Sequence, residues 1–448
     1  MAYNYHIYSR LKKYAGTNKR FHVPGHKARG DFKSKFPVAA YDITELSYSD
    51  TLACPTDIIA AAQKDLAEIV GAKRSYILTD GSSAGVLASI CSAAKRGSKM
   101  IVPRNSHLSV WNACKLWDLE PVIVQGEQQD GLMTHPDPAL IEELVKSDKT
   151  ISCMIVASPD YYGRVAPLKE YAEILHAHGR RFVVDGAHGA HLCLEEGREG
   201  HASAYADIWI DGAHKTLPTL TQGALVSTNC DELIPAIEEH LATFRTTSPS
   251  YPVMASVEYG FKYFINNPTA LKTAKAAVAA FREECPVALL AVDDWTKIVA
   301  DFSSVGVSAD KAVKFLEKRG IYSELSDGRY ILFYASPQTT AADLKALNSA
   351  LTAVINNKKF KGTYKDRGFV PAHDRNYSFQ YAIKRTRELI PVEKSIGRMC
   401  AVNAGVAPPC TAVVAAGEII TKQAAEILLH APTTFGLVDG NKIWVVLK

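Results

Sequence analysis

From about residue 56 to 230 the chain alternates short, β-branched apolar runs with longer Ala-rich segments. The apolar runs "SYILT" (75–79), "KMIVP" (99–103), "PVIV" (121–124), "SCMIVA" (152–157), "RFVVD" (181–185), "ADIWID" (206–211) and "GALVS" (223–227) are predicted strands. Between them, "DIIAAAQKDLAEIV" (57–70), "GVLASICSAAK" (85–95) and "LKEYAEILHAH" (168–178) are predicted helices. Such alternation builds a mostly parallel sheet covered by helices. Several strands are apolar throughout, as strands buried on both faces must be. The pattern therefore predicts a three-layer αβα large domain. After "TTSPSYP" (246–252) a long helical region runs to about residue 284. A second, smaller α/β unit follows, with "ILFYAS" (331–336) as its strand and "AADLKALNSALTAVI" (341–355) as its helix. The basic stretch 356–368 is expected to be a solvated connection to a last subdomain. The expected units are an arm at 1–55, a large domain at 56–270, a small α/β domain at 271–356 and a C-terminal subdomain at 357–448.

Composition narrows the function classes. The net charge of +4, from 51 basic and 47 acidic residues, supplies no long basic stripe for nucleic acid. Nine cysteines, without a CxxC pair, fit reduced thiols and a cytoplasmic location, and no apolar run approaches membrane-spanning length.

Ligands of open parallel sheets bind beyond the carboxyl ends of the strands, and four such places carry candidate chemistry. In "LTDGSSAG" (78–85), Gly81, Ser82 and Ser83 lie where a strand meets a helix. Close backbone approach, two hydroxyls and a helix N-terminus make a phosphate seat, or simply a capped turn. In "VDGAHGAH" (184–191), Asp185 ends a strand. It could pair with a protonated ring nitrogen flanked by Ala187 and His188, hold a metal with His188 and His191, or merely cap a turn. His107 begins a helix after a strand and is either an ordinary N-terminal polar residue or a ring that stacks on a flat cofactor. Finally, Lys215 is the only formally charged side chain between Gly212 and Cys230. Desolvation favours the neutral amine that attacks carbonyls. Phosphate seat, strand-end carboxylate and isolated lysine together are what pyridoxal 5′-phosphate requires, and no metal is expected.

These residues lie within landmarks that resemble the Orn/Lys/Arg decarboxylases of the aspartate-aminotransferase-like, fold-type I group. The landmarks are "FHVPGHK" (21–27), "DITEL" (42–46), "AQKDLAEIVGA" (62–72), "DGSSAG" (80–85), "PRNSHLS" (103–109), "SPDYYG" (158–163), "VDGAHGAH" (184–191), "AHKTLPTLTQGALV" (213–226) and "TSPSYPVMAS" (247–256). The resemblance implies the fold of PLP-dependent transferases, in the short form without an N-terminal wing domain. It implies Lys215 as the Schiff-base lysine, Asp185 on the pyridine nitrogen, His107 stacked on one ring face and Ala187 on the other. Ser82, Ser83 and His214 would attend the phosphate. A hydroxyl from Thr246, Thr247 or Ser248 would reach the phosphate of a neighbouring subunit, since such sites lie at a homodimer interface. The activity implied is decarboxylation of arginine, lysine or ornithine to an amine of the polyamine type, with His188 or Lys215 as proton donor. The alternatives are an aminotransferase or lyase, for which Arg329 or Arg398 would clamp the α-carboxylate, or a non-catalytic homologue.

The sequence also departs from the family pattern. Gly186 stands where Glu or Ser is common, Gly212 where a serine usually serves the phosphate, and Asp160 where Thr is usual. Residues 406–418 replace a Pro-Tyr-Pro-Pro-Gly-like run at the substrate entrance.

Overall fold

The computed structural model describes residues 2–15, 19–198, 200–364, 378–407, 411–431 and 433–447. Its main sheet has seven strands: β1 (Arg74–Leu78), β2 (Lys99–Pro103), β3 (Glu120–Val124), β4 (Ile151–Ala157), β5 (Arg181–Gly186), β6 (Ile208–Asp211) and β7 (Ala224–Thr228). Their order across the sheet is β1-β7-β6-β5-β4-β2-β3. Four of the six pairings are parallel, and only β7 runs against its neighbours. Two antiparallel steps restore the direction, so β1 points the same way as β6. The chain therefore leaves β1, β2, β4, β5 and β6 at one edge, where a parallel sheet places its ligands.

Alternation along each strand sorts side chains between two cores. Phe182, Val184, Trp209 and Leu225 enter one core, while Val183, Ile208, Ile210 and Val226 enter the other. The first core also takes Ile7 and Leu11 of α1 (His6–Tyr14), so the N-terminal arm is anchored to the large domain. The predicted helix at 57–70 is α2 (Ile58–Val70). The one predicted at 85–95 instead begins four residues earlier, as α3 (Gly81–Ala93). There a left-handed Gly81 (φ +78°) reverses the chain and starts the helix at the strand end. Next come α4 (Leu108–Leu116), α5 (Leu168–Ala177) and the single turn α6 (Ala213–Thr216).

The long helical region divides into α7 (Tyr251–Asn266) and α8 (Pro268–Glu284), parted at Asn267-Pro268. The small unit pairs β8 (Lys297–Asp301) with β10 (Tyr330–Tyr334), which also pairs with β9 (Leu325–Ser326). Helix α9 (Ala341–Ile355) closes its own separate core. The predicted connection after it holds a short helical turn at Lys358–Phe360, and its residues 365–368 lie outside the described residues. The C-terminal part forms two small antiparallel sheets and the helix Lys422–His430. Its Phe379, Ala412 and Ala415 pack into the second core of the main sheet. Among the described residues, no helix is long and apolar enough to cross a membrane, and the eight described cysteines form no disulfide.

Candidate active site

At the carboxyl edge of the sheet a cavity of about 1670 Å³ gathers Ser82, His107, Asp185, Ala187, His188 and Lys215. Gly81 and Ser83 also line it. At the start of α3, the Gly81 N–H donates to the Gln222 carbonyl (3.0 Å). The next amides have no helical acceptor, as at any helix start, and they carry partial positive charge. Ser82 Oγ is enclosed beside them and has no protein partner. A buried hydroxyl without a partner is costly, and a phosphate oxygen would satisfy it together with the free amides. The residues present therefore fit a phosphorylated group.

His107 caps the N-terminus of α4, its Nδ1 accepting the Ser109 N–H at 3.2 Å. Burial lowers its pKa; the nearby Asp185 carboxylate opposes this and Lys215 reinforces it. Asp185 is itself buried at the end of β5, where its Oδ1 accepts the Ala187 N–H at 3.1 Å. Lys215 lies on α6, directly after β6, half-buried under the open cavity. Its Nζ is 3.0 Å from His188 Nε2. His188 Nδ1 in turn lies 2.9 Å from the Tyr334 hydroxyl. Burial first, then the ammonium groups of Lys215 and Lys297, hold His188 well below its usual pKa, with Asp294 opposing. His188 is therefore neutral near pH 7.

His214 lines the cavity but turns Nδ1 to the Gly223 carbonyl (3.0 Å), and burial lowers its pKa. His191 does not join His188. It points the other way, to Asp294 (2.9 Å), so the two histidines share no ligand position. No group of three or more metal-ligating side chains occurs among the described residues. Thr246 and Ser248 are exposed and do not line the cavity of their own chain. The Thr246 N–H instead donates to Asp80 Oδ1 (3.2 Å), which ties this segment to the residue preceding Gly81.

The departures have local explanations. A Cβ on Gly212 would lie 2.2 Å from the Ala187 carbonyl oxygen, and one on Gly186 would lie 2.8 Å from that of Ile210. The ends of β5 and β6 approach too closely for side chains, so the missing serine is a packing requirement. Asp160 Oδ1 accepts the N–H groups of Tyr162, Gly163 and Arg164 at 2.8–3.0 Å, organising its own turn. Of the 406–418 segment, Val406, Ala407 and Thr411 line the cavity, and 408–410 lie outside the described residues.

The sequence profile described as "Orn/Lys/Arg decarboxylase, major domain" matches residues 6–284. The chain belongs to this family of amino-acid decarboxylases. It is 28% identical to the uncharacterized protein YaaO of Bacillus subtilis (strain 168), over 97% of this chain and 96% of that protein. It is 26% identical to an arginine decarboxylase of Bacillus anthracis, over 94% and 92% of the two chains. The lysine decarboxylase LdcF of Francisella novicida shares the fold with TM-score 0.82 at 18% identity, covering 99% of this chain and 81% of that one. The fold is thus the fold-type I decarboxylase architecture, α/β with a mostly parallel central sheet.

In this decarboxylase-family chain, neither arginine considered for a carboxylate clamp is presented to the site. Arg398 binds Glu388 and the Val446 carbonyl, away from the cavity. Arg329 lines the cavity, but its guanidinium is engaged by Asp301 and the Asp130 carbonyl. Sequence reasoning missed Tyr161 and Tyr334, whose rings pack edge-on against His188. It also missed the buried Lys297, whose Nζ is 4.4 Å from the centre of the Tyr334 ring. Tyr161 stands inside a quoted landmark. Lys297 lies 82 residues beyond Lys215 and Tyr334 lies 146 beyond His188, with no local motif to mark either.

Proposed function

We propose that the protein decarboxylates a basic amino acid, arginine, lysine or ornithine, with pyridoxal 5′-phosphate as cofactor. The observation that carries this reading is the convergence of the partnerless Ser82 hydroxyl, Asp185 and the Lys215–His188 pair at one strand edge of a family member. When bound, the cofactor supplies an aldehyde and an electron-accepting ring for the carbanion left by carbon dioxide. Ser82, Ser83 and the first amides of α3 would hold its phosphate, with His214 lining the same cavity. Asp185 would serve as the carboxylate partner of a protonated ring nitrogen. His107 and Ala187 would flank the ring. Lys215 would offer the primary amine and, as an ammonium, a proton. An ammonium on Lys215 can only donate, so His188 Nε2 accepts in their contact, and we assign the proton-donor role to Lys215.

A cationic substrate side chain suits a cavity that Glu324, Asp327, Asp310 and Glu317 also line. Tyr161, beside His188, donates to Glu324 Oε1 and so connects that carboxylate to His188. We also propose a homodimer with the site at its interface. Supporting this are the exposed Phe21 (95%), Val23, Phe32, Phe36 and Val38 of the arm and the exposed Thr246–Ser248 segment beside Asp80. The expected units 1–55, 56–270, 271–356 and 357–448 and a cytoplasmic setting belong to the same proposal.

The test offers the loaded protein a mixture of arginine, lysine and ornithine and analyses the products by mass spectrometry. Agmatine, cadaverine or putrescine is the expected outcome and names the substrate. Keto acids in their place overturn the assignment in favour of transamination.

A further inference from the structure

A fully buried lysine is expensive unless it is paired, and Lys297 has no part in the chemistry above. It begins β8 of the small unit with its side chain wholly enclosed. Its Nζ donates to Asp294 Oδ2 (2.8 Å) and Thr296 Oγ1 (2.9 Å). The other carboxylate oxygen, Oδ1, meets His191 Nε2 (2.9 Å) and accepts the Thr296 N–H (2.8 Å). The Asp294 N–H donates to the Gly163 carbonyl (2.9 Å), fastening the set to the turn that Asp160 organises. Both charges are thus compensated and geometrically fixed.

The ammonium of Lys297 faces the Tyr334 ring at 4.4 Å, within cation–π range. Tyr334 carries its hydroxyl to His188 Nδ1, and His188 Nε2 reaches Lys215. An unbroken line of contacts therefore runs from His191 in the large domain, through Asp294, Lys297 and Tyr334 of the small unit, back to His188 and Lys215.

A neutral imidazole has one donor and one acceptor nitrogen. With Lys215 as an ammonium, Nε2 must accept, so the hydrogen sits on Nδ1 and points at the Tyr334 oxygen. The Tyr334 hydroxyl then donates to the Tyr161 carbonyl, 3.4 Å away. If Tyr334 were rotated to donate to Nδ1 instead, the His188 hydrogen would move to Nε2 and confront the Lys215 ammonium. The phenol oxygen, with its own hydrogen directed to Tyr161, thus supports the one tautomer that the Lys215 contact allows.

We propose that Tyr334, seated by Lys297 and Asp294, is a positioning residue that accepts from Nδ1–H, so holding the His188 tautomer that the Lys215 contact requires and thereby aiming the Lys215 amine. Docking of the small unit then sets the reactivity of a lysine carried by the large domain. The part concerning turnover rests on the decarboxylase reading, whereas the tautomer does not.

The experiment uses the full-length protein with 15N-labelled histidine rings. In the cofactor-free wild type, His188 shows a protonated Nδ1 and a bare Nε2, assigned by the loss of its signals in His188→Gln. In Tyr334→Phe, which removes one hydroxyl, this signature shifts or mixes while that of His107 stays. The loaded Tyr334→Phe variant loses turnover on the order of a hundredfold with KM within about twofold, as misaimed chemistry rather than lost binding. Lys297→Met combined with Asp294→Asn removes both buried charges at once and produces the same His188 shift, even if the fold loosens elsewhere. A wild-type His188 protonated on Nε2, or a signature unchanged by Tyr334→Phe, overturns the proposal. If no basic amino acid yields an amine, the functional reading fails while the ring signals still decide the tautomer.

Discussion

Lys215 was legible because a lone charge in an apolar run is conspicuous in any sequence, and its replacement is the simplest prediction. Lys215→Ala abolishes amine production in steady-state assays, and turnover retained by that variant would remove the lysine from the mechanism. Gly212 makes a subtler one. Its Cα passes so close to the Ala187 carbonyl that a Cβ would lie 2.2 Å from the oxygen. Gly212→Ser, although it restores the hydroxyl common in the family, must push back the backbone that carries His188. We expect turnover to fall on the order of a hundredfold, and Gly212→Ala to behave alike because the cause is steric. Full activity in the serine variant would show that the close approach is dispensable. Asp160 and the glycines were visible as departures, but their roles were not, because the atoms they accommodate come from other segments.

At the scale of elements, strand and helix placement followed from periodicity, but what fastens the elements came from distant side chains. The first turn of α1 has no local cap. The buried Glu258 of α7 accepts the N–H groups of His6 (2.6 Å), Ile7 (2.9 Å) and Tyr8 (3.3 Å) and pairs with Lys262. Just beyond β2, Arg104 makes a two-pronged contact with Glu418 of the C-terminal part, both side chains buried. Breaking a buried pair from one side strands the remaining charge, so Arg104→Met should cost about 3–5 kcal/mol. Urea unfolding measures this. An unchanged midpoint would mean that the C-terminal part is held by its apolar contacts alone.

At the scale of the whole molecule, His107, His188 and His214 are all kept neutral chiefly by burial. A histidine whose folded pKa lies below its unfolded value, roughly 6.5, binds fewer protons folded than unfolded as the pH falls. Its contribution is complete above that value and is lost as the pH drops toward the folded pKa. Thermal midpoints should therefore decline as the pH is lowered from about 7 to about 5.5, and the slope should be shallower in His188→Gln. Equal slopes would show that His188 does not report the acid sensitivity. Sedimentation provides the second test at this scale. The wild type should run as a dimer, and Phe21→Ser with Val38→Ser should weaken it. A monomeric wild type with full activity would place the whole site within one chain.

The sequence by itself determined the seven strands, their covering helices and the landing points of Ser82, His107, Asp185 and Lys215. Those features depend on local periodicity, turn chemistry and charge placement, all of which act between near neighbours. Tertiary structure decided that His188 serves Lys215 while His191 serves Asp294, that Arg329 and Arg398 are spent elsewhere, and that Lys297 stands over Tyr334. The His191–Asp294 pair and the contact of Arg329 with the Asp130 carbonyl depend on how the small unit seats against the large domain, whereas His188–Lys215, Arg398–Val446 and Lys297–Tyr334 join separate segments within one unit. Contacts across such a seam join residues that no spacing along the chain relates.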